Sequence, residues 1–122
     1  MTLQELYENI NGDYAQAMRV LRMEKLMDKH IRKLTKNGVI DALLAAGETM
    51  DPTALFDAAH AAKGVCGNLG LVNLASAASD IAEEFRPGNP RTMDDAAVKE
   101  KLAAIAALYK KTAEGIAQYE NG

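Results

Sequence analysis

Residues 51–85 read DPTALFDAAHAAKGVCGNLGLVNLASAASDIAEEF, and this stretch decides the fold because it predicts two helices joined by a turn at Gly70. Asp51 and Pro52 form a helix start, since an Asp side chain can cap free amide groups and a proline at the first helical position lacks an amide that would need a partner. Apolar or small residues then recur at steps of three and four, which is typical of amphipathic helices. The first stripe consists of Leu55, Ala59, Ala62, Cys66 and Leu69, and the second of Leu71, Leu74, Ala78, Ile81 and Phe85. The sequence therefore predicts a helical hairpin that ends before Pro87.

The segments before this hairpin also show helical spacing. Thr2 and Glu5 stand at capping-box spacing and predict a short helix over Leu3 to Ile10. One long helix is predicted from Asp13 to about Lys36, and a further short helical stretch from Val39 to Ala46. The apolar stripe of the long helix consists of Val20, Met23, Met27, Ile31 and Leu34.

The segment after the hairpin predicts the last long helix. Thr92 and Asp95 are expected to cap its start. Its stripe keeps four-three spacing through Val98, Leu102, Ile105, Tyr109, Thr112, Ile116 and Tyr119. No segment shows the alternation of a strand. We therefore predict an all-α fold, an antiparallel four-helix bundle with a short additional N-terminal helix.

Length and composition limit the classes of protein. The chain has 122 residues, no Trp and a formal net charge of −3. We expect residues 1–122 to form a single helical domain with a core bundle over about residues 13–119. No basic run is long enough to follow a nucleic-acid backbone, so we expect no nucleic-acid partner. Without a signal peptide or about 18 uninterrupted apolar residues, the chain is expected to be soluble and cytoplasmic, with no membrane partner.

Several reactive residues are interpreted as structural or solvated. Cys66 has no second cysteine to pair with and falls in an apolar stripe, so a buried thiol is expected. His30 borders the stripe of its helix and is assigned no function. The acidic pair Glu83 and Glu84 is interpreted as a solvated helix face. Two histidines without a Glu-x-x-His pattern are too few for a di-metal bundle, so we expect no metal site.

The glycines that follow His60 are unusual in so alanine-rich a segment. An interior glycine costs a helix about 1 kcal/mol relative to alanine, so keeping Gly64 and Gly67 indicates a need for absent side chains. Residues three and four apart are neighbours on a helix surface, so Lys63 and Gly64 flank His60. At about 100° per residue, Phe56, His60, Lys63 and Gly67 lie to one side of the apolar stripe. We expect a bare, outward face that another molecule approaches closely.

The motif His60-x-x-Lys63-Gly64, closed by Asn68-Leu69-Gly70, resembles the histidine-containing phosphotransfer (HPt) domains. The resemblance covers essentially Asp13 to Tyr119. It implies a four-helix bundle of about this length, with a phosphorylatable histidine on the second long helix. This sequence departs modestly from the family pattern, since Ala62 precedes the lysine and Val65-Cys66 follow the glycine.

Carried over to these positions, the resemblance implies the following roles. His60 accepts a phosphoryl group on an imidazole nitrogen and later passes it to an aspartate of a receiver domain. Lys63 offsets the charge of the phosphoryl group, and Gly64 leaves space for the partner's acidic pocket. Phe56, Asp57 and Gly67 are the candidate partner-binding residues. Asp57 is open to two readings, orienting the ring by a hydrogen bond or standing as a solvated charge.

The resemblance also implies partners and excludes some chemistry. The expected partners are response-regulator receiver domains and, as a second class, a hybrid sensor histidine kinase. The chain has no Gly-rich nucleotide loop, so it is expected to be a transfer intermediate and not a kinase with its own ATP site. It would need no cofactor, with Mg²⁺ supplied by the receiver. A monomer is expected for a different reason, because the apolar stripes are used within one bundle. The alternative is a helical interaction module that binds a receiver or other signalling partner without being phosphorylated.

Overall fold

The computed structural model describes residues 1–122 and is entirely helical, which confirms the predicted all-α class. None of its helices is long and apolar enough to cross a membrane. There are seven: α1 (Leu3–Asn9), α2 (Tyr14–Leu21), α3 (Glu24–Lys33), α4 (Val39–Thr49), α5 (Pro52–Asn68), α6 (Val72–Glu84) and α7 (Asp95–Asn121).

The four-helix bundle is formed by α4, α5, α6 and α7. Each packs on the next in chain order, and α7 also contacts α4. The α4–α5 and α5–α6 connections are two and three residues long, so consecutive helices run antiparallel. The short stretch predicted from Val39 to Ala46 is thus longer than expected and belongs to the bundle. The N-terminal helices α1, α2 and α3 pack against α5 and α7.

The prediction of one helix from Asp13 to Lys36 is wrong, because the chain breaks at Arg22. Arg22 adopts a left-handed conformation (φ 72°) and its amide donates to the carbonyl of Met18, which ends α2. Met23 is extended and precedes α3. The break divides the predicted apolar stripe into an exposed and a buried part. Val20 and Met23 are 47% and 51% exposed, whereas Met27, Ile31 and Leu34 are buried.

The predicted hairpin is confirmed in α5 and α6. All ten residues of its two stripes are buried. The Asp51 side chain accepts a hydrogen bond from the amide of Ala54, as expected of the helix start. Gly70 has φ 69°, and a side chain there would overlap the carbonyl oxygen of Asp13. The hydroxyl of Tyr7 donates to the Leu69 carbonyl at 2.7 Å, which fastens α1 to the same turn.

Two predictions near the start of α7 need correction. The cap is Asp94, which accepts from the amide of Ala97 at 2.8 Å, and not Thr92. The Thr92 hydroxyl instead donates to the carboxylate of Glu84 at 2.7 Å. Glu84 is not a solvated residue: it is buried and also accepts from the amides of Thr92 and Met93 and from Arg91. These donors, the amide of Met93 first, lower its pKa to about 2.

Candidate functional site

His60 lies in the middle of α5 on the face turned away from the core. Its neighbours Ala59 and Ala62 are fully buried, whereas the histidine is exposed. The helical period explains this placement, because the stripe that buries α5 leaves the positions about 100° away facing outward. The predicted outward position of His60 is therefore confirmed.

The imidazole ring of His60 is held by stacking. It lies on the ring of Phe56, with ring centroids 5.7 Å apart and an interplanar angle of 19°. The guanidinium of Arg86, just beyond the end of α6, lies over the Phe56 ring at 5.5 Å. Asp57 is exposed and forms no hydrogen bond with His60. No contact in the structure therefore supports the interpretation that Asp57 orients the ring. Neither imidazole nitrogen is bonded to another residue of the chain.

Positive charge lies close to the ring on the α6 side. Lys63 is half-buried one turn after His60 and forms no ion pair. Arg86 binds both carboxylate oxygens of Glu83, at 2.6 and 3.2 Å. The pKa of Glu83 is lowered, first by the hydrogen bonds from Arg86 and further by the charge of Lys63. Glu83 is thus bound by Arg86 and also feels the charge of Lys63.

Arg86 and Glu83 are members of this cluster that the sequence did not reveal as such. A spacing of three residues at a helix end permits their pairing, but only the fold of the hairpin brings them next to Phe56 and Lys63. The available signal in the sequence was the position of Arg86 directly before Pro87. Helical periodicity does not predict that this residue lies on the same face as His60.

No packing contact within the chain requires a missing side chain at the two glycines beside His60. A Cβ built on Gly64 or on Gly67 would meet no atom within 4 Å. Gly64 is exposed and Gly67 half-buried, and both lie within α5. Gly70 differs, since its conformation and its closeness to Asp13 both exclude a side chain. Packing within this chain therefore does not account for the missing side chains at Gly64 and Gly67, which form a bare strip with His60.

Other reactive groups lie away from the strip. Cys66 is buried, as predicted, and burial raises the pKa of its thiol to about 11. His30 is exposed on α3. The structure contains no group of three or more His, Cys, Asp or Glu side chains that could hold a metal ion.

The bundle thus presents an exposed, unbonded histidine beside a lysine and a bare glycine strip. The Hpt domain family model matches residues 3–110, so the chain belongs to the Hpt domain family. No curated protein and no solved structure matches the chain. The match begins at α1 and ends within α7, whereas the expected resemblance ran from Asp13 to Tyr119. Family membership gives the chain a phosphotransfer-related role in two-component signalling.

Proposed function

We propose that the chain is a phosphohistidine carrier in a multistep phosphorelay, moving a phosphoryl group between aspartates of receiver domains. The observation that supports this most directly is the exposed imidazole of His60, whose nitrogens have no partner in the chain, beside a strip without side chains. Such a ring is accessible to a phosphorylated carboxylate on another protein.

In the forward step, the lone pair of one imidazole nitrogen of His60 attacks the phosphorus of an aspartyl phosphate. The nitrogen–phosphorus bond forms as the bond from phosphorus to the aspartyl oxygen breaks, and the aspartate leaves as a carboxylate. The other ring nitrogen keeps its proton. In the second step the carboxylate of the next receiver attacks the same phosphorus, and His60 leaves as neutral imidazole.

The cations around the ring have distinct roles in this proposal. Lys63, one turn from His60, offsets the negative charge that builds up when two anions share a phosphoryl group. Arg86 holds the Phe56 ring, and this ring limits the orientations of the imidazole. Arg86 is thus a positioning residue. Mg²⁺ would be held by the acidic site of the receiver, and this chain would need no cofactor of its own.

The bare strip supports a close approach by the receiver. Gly64 and Gly67 allow the partner's backbone to lie against α5, and Phe56 and Asp57 border the contact. The proposal assigns the reaction to the cytoplasm, in keeping with a single buried thiol that needs no oxidising compartment.

The test is transfer from a phosphorylated receiver domain to the purified chain. We expect acid-labile, base-stable phosphate on the wild type and none on His60→Gln. His30→Gln is the matched control, because it removes the other exposed histidine and should still be labelled. Lys63→Ala should slow transfer while leaving the helical content unchanged.

Unchanged labelling of His60→Gln would refute the site. The alternative function, an interaction module that is never phosphorylated, would show receiver binding without any labelling. His60 would then be an ordinary contact residue.

A further inference from the structure

The end of α2, the break at Arg22 and the whole of α3 form a strongly basic surface, here called the basic elbow (residues 19–36). It contains seven Lys or Arg residues and two acidic residues, a net charge of +5. The remaining residues contain seven Lys or Arg and fifteen Asp or Glu, a net charge of −8. One surface of an acidic protein is therefore set apart by charge.

Most cations of the basic elbow are not neutralised within the chain. Arg32 pairs with Asp28 and with Glu120, and Lys36 also pairs with Glu120. The other five are exposed and form no ion pair: Arg19, Arg22, Lys25, Lys29 and Lys33. The three lysines are spaced four apart along α3, so their charges repel one another. The fold gains nothing from this repulsion.

Apolar side chains and a strained backbone occur at the same place. Val20 and Met23 are two of the four exposed large hydrophobic residues of the chain. Arg22 adopts a left-handed conformation that glycine or asparagine would adopt at lower cost. Arginine and methionine are enriched where proteins bind proteins. Met23, Arg19 and Arg22 fit this composition, whereas the lysines of α3 supply charge around them.

The basic elbow lies next to the strip around His60, across a groove. Gln16, at the start of α2, donates to the carbonyl of Gly67 at 3.2 Å. A groove of about 290 Å³ separates the elbow from α5, with Lys33 on one wall and Asn68 on the other. Asn68 lies eight residues beyond His60, about 12 Å along the helix. A standard interface covers about 800 Å² on each partner, a disc of roughly 16 Å radius. A protein centred on His60 therefore reaches the groove and the edge of the elbow.

We propose that the basic elbow is a second docking surface for the receiver that exchanges phosphate with His60, and that it selects receivers with an acidic, partly apolar face beside their phosphorylation site. This rests on the proposed function. A lipid surface fits less well, because Val20 and Met23 are the exposed large apolar side chains of this region. Ala17, Met27 and Ile31 are buried in the core, and Met18 and Leu21 are partly buried against it. A nucleic acid fits less well because residues 19–36 contain no Phe, Tyr or Trp for base stacking.

The test compares receiver-dependent with receiver-independent phosphorylation. Purified receiver domains encoded in the same genome are phosphorylated with acetyl phosphate, and the rate of transfer to the chain is measured against receiver concentration. The elbow variant carries Arg19→Glu, Lys25→Glu and Lys29→Glu. The matched control reverses three exposed, unpaired lysines of α7: Lys99→Glu, Lys110→Glu and Lys111→Glu. Phosphoramidate, a small phosphate donor, is expected to label His60 without any docking.

We expect the elbow variant to raise KM for the best receiver about tenfold with little change in kcat, and to weaken the salt dependence of KM. The control variant should keep the wild-type KM, and all three proteins should label equally with phosphoramidate. An unchanged KM in the elbow variant would overturn the proposal. An unchanged KM together with lost binding to phosphatidylserine vesicles or to duplex DNA would assign the elbow to that partner instead. If the wild type is labelled by neither receivers nor phosphoramidate, the proposed function itself fails.

Discussion

Replacing Gly64 with alanine separates the stability of α5 from its function. Gly64 lies in the interior of the helix and a Cβ there meets no atom within 4 Å, so the substitution introduces no clash. Alanine is better than glycine in a helix interior by about 1 kcal/mol. Unfolding entropy of about 2.1 cal/mol/K per residue gives about 260 cal/mol/K for this chain, so Tm should rise by about 4 °C.

The same substitution should slow transfer from a receiver. A methyl group forced into a closely packed contact costs about 1–3 kcal/mol, and 1.4 kcal/mol corresponds to a tenfold change. We therefore expect transfer from a phosphorylated receiver to slow about tenfold, measured in single-turnover reactions. Labelling by phosphoramidate should be unchanged, because that donor is small. Stability and transfer would thus change in opposite directions.

Gly70→Ala is the contrasting control. Its positive φ and the overlap with the Asp13 carbonyl oxygen predict a lower Tm. A lower Tm for Gly64→Ala would refute the inference that no packing contact within the chain requires the missing side chain at Gly64. A higher Tm with wild-type transfer from receivers would refute the inference that a partner approaches the glycine.

Three further substitutions test the surroundings of the strip and the turns that hold it. Arg86→Gln removes the cation over the Phe56 ring and should slow receiver transfer about two- to fivefold in single-turnover assays. The pKa of Glu84 is lowered from 4.5 to about 2, so the ionised carboxylate stabilises the fold fully above pH 4.5 and this effect is lost as the pH falls towards 2. Glu84→Gln should therefore lower Tm at pH 7 and reduce the fall of Tm in acid. Tyr7→Phe removes the buried donor to the Leu69 carbonyl and should cost about 1–2 kcal/mol in urea unfolding.

Each of these has a contradicting outcome. Transfer by Arg86→Gln at the wild-type rate would mean that the stack on Phe56 does not position His60. A Tm profile of Glu84→Gln parallel to that of the wild type between pH 4.5 and 2 would place the acid sensitivity elsewhere. An unfolding free energy of Tyr7→Phe equal to that of the wild type would mean that water replaces the hydroxyl at the turn.

The helical spacing of apolar residues in the sequence predicted much of the candidate site. The stripe from Leu55 to Leu69 orients α5, because a helix that buries one side must expose the other, and this places His60, Gly64 and Gly67 outward. The helix caps at Thr2 and Asp51 could also be predicted from the sequence, because a capping side chain binds an amide within three residues of it. These features depend on neighbours in the chain, and the sequence alone determined them.

The tertiary structure decided what depends on distant residues. The break at Arg22 could not be predicted from the sequence, because the apolar spacing continues through it. Only the packing of the helices shows that Met23 lies outside the core. Thr92 was expected to cap α7, but its hydroxyl instead donates a hydrogen bond to the buried carboxylate of Glu84. Arg86 lies 26 residues from His60, and the hairpin alone brings it over Phe56. A helical period describes one helix at a time, whereas the partners of a side chain depend on how helices pack.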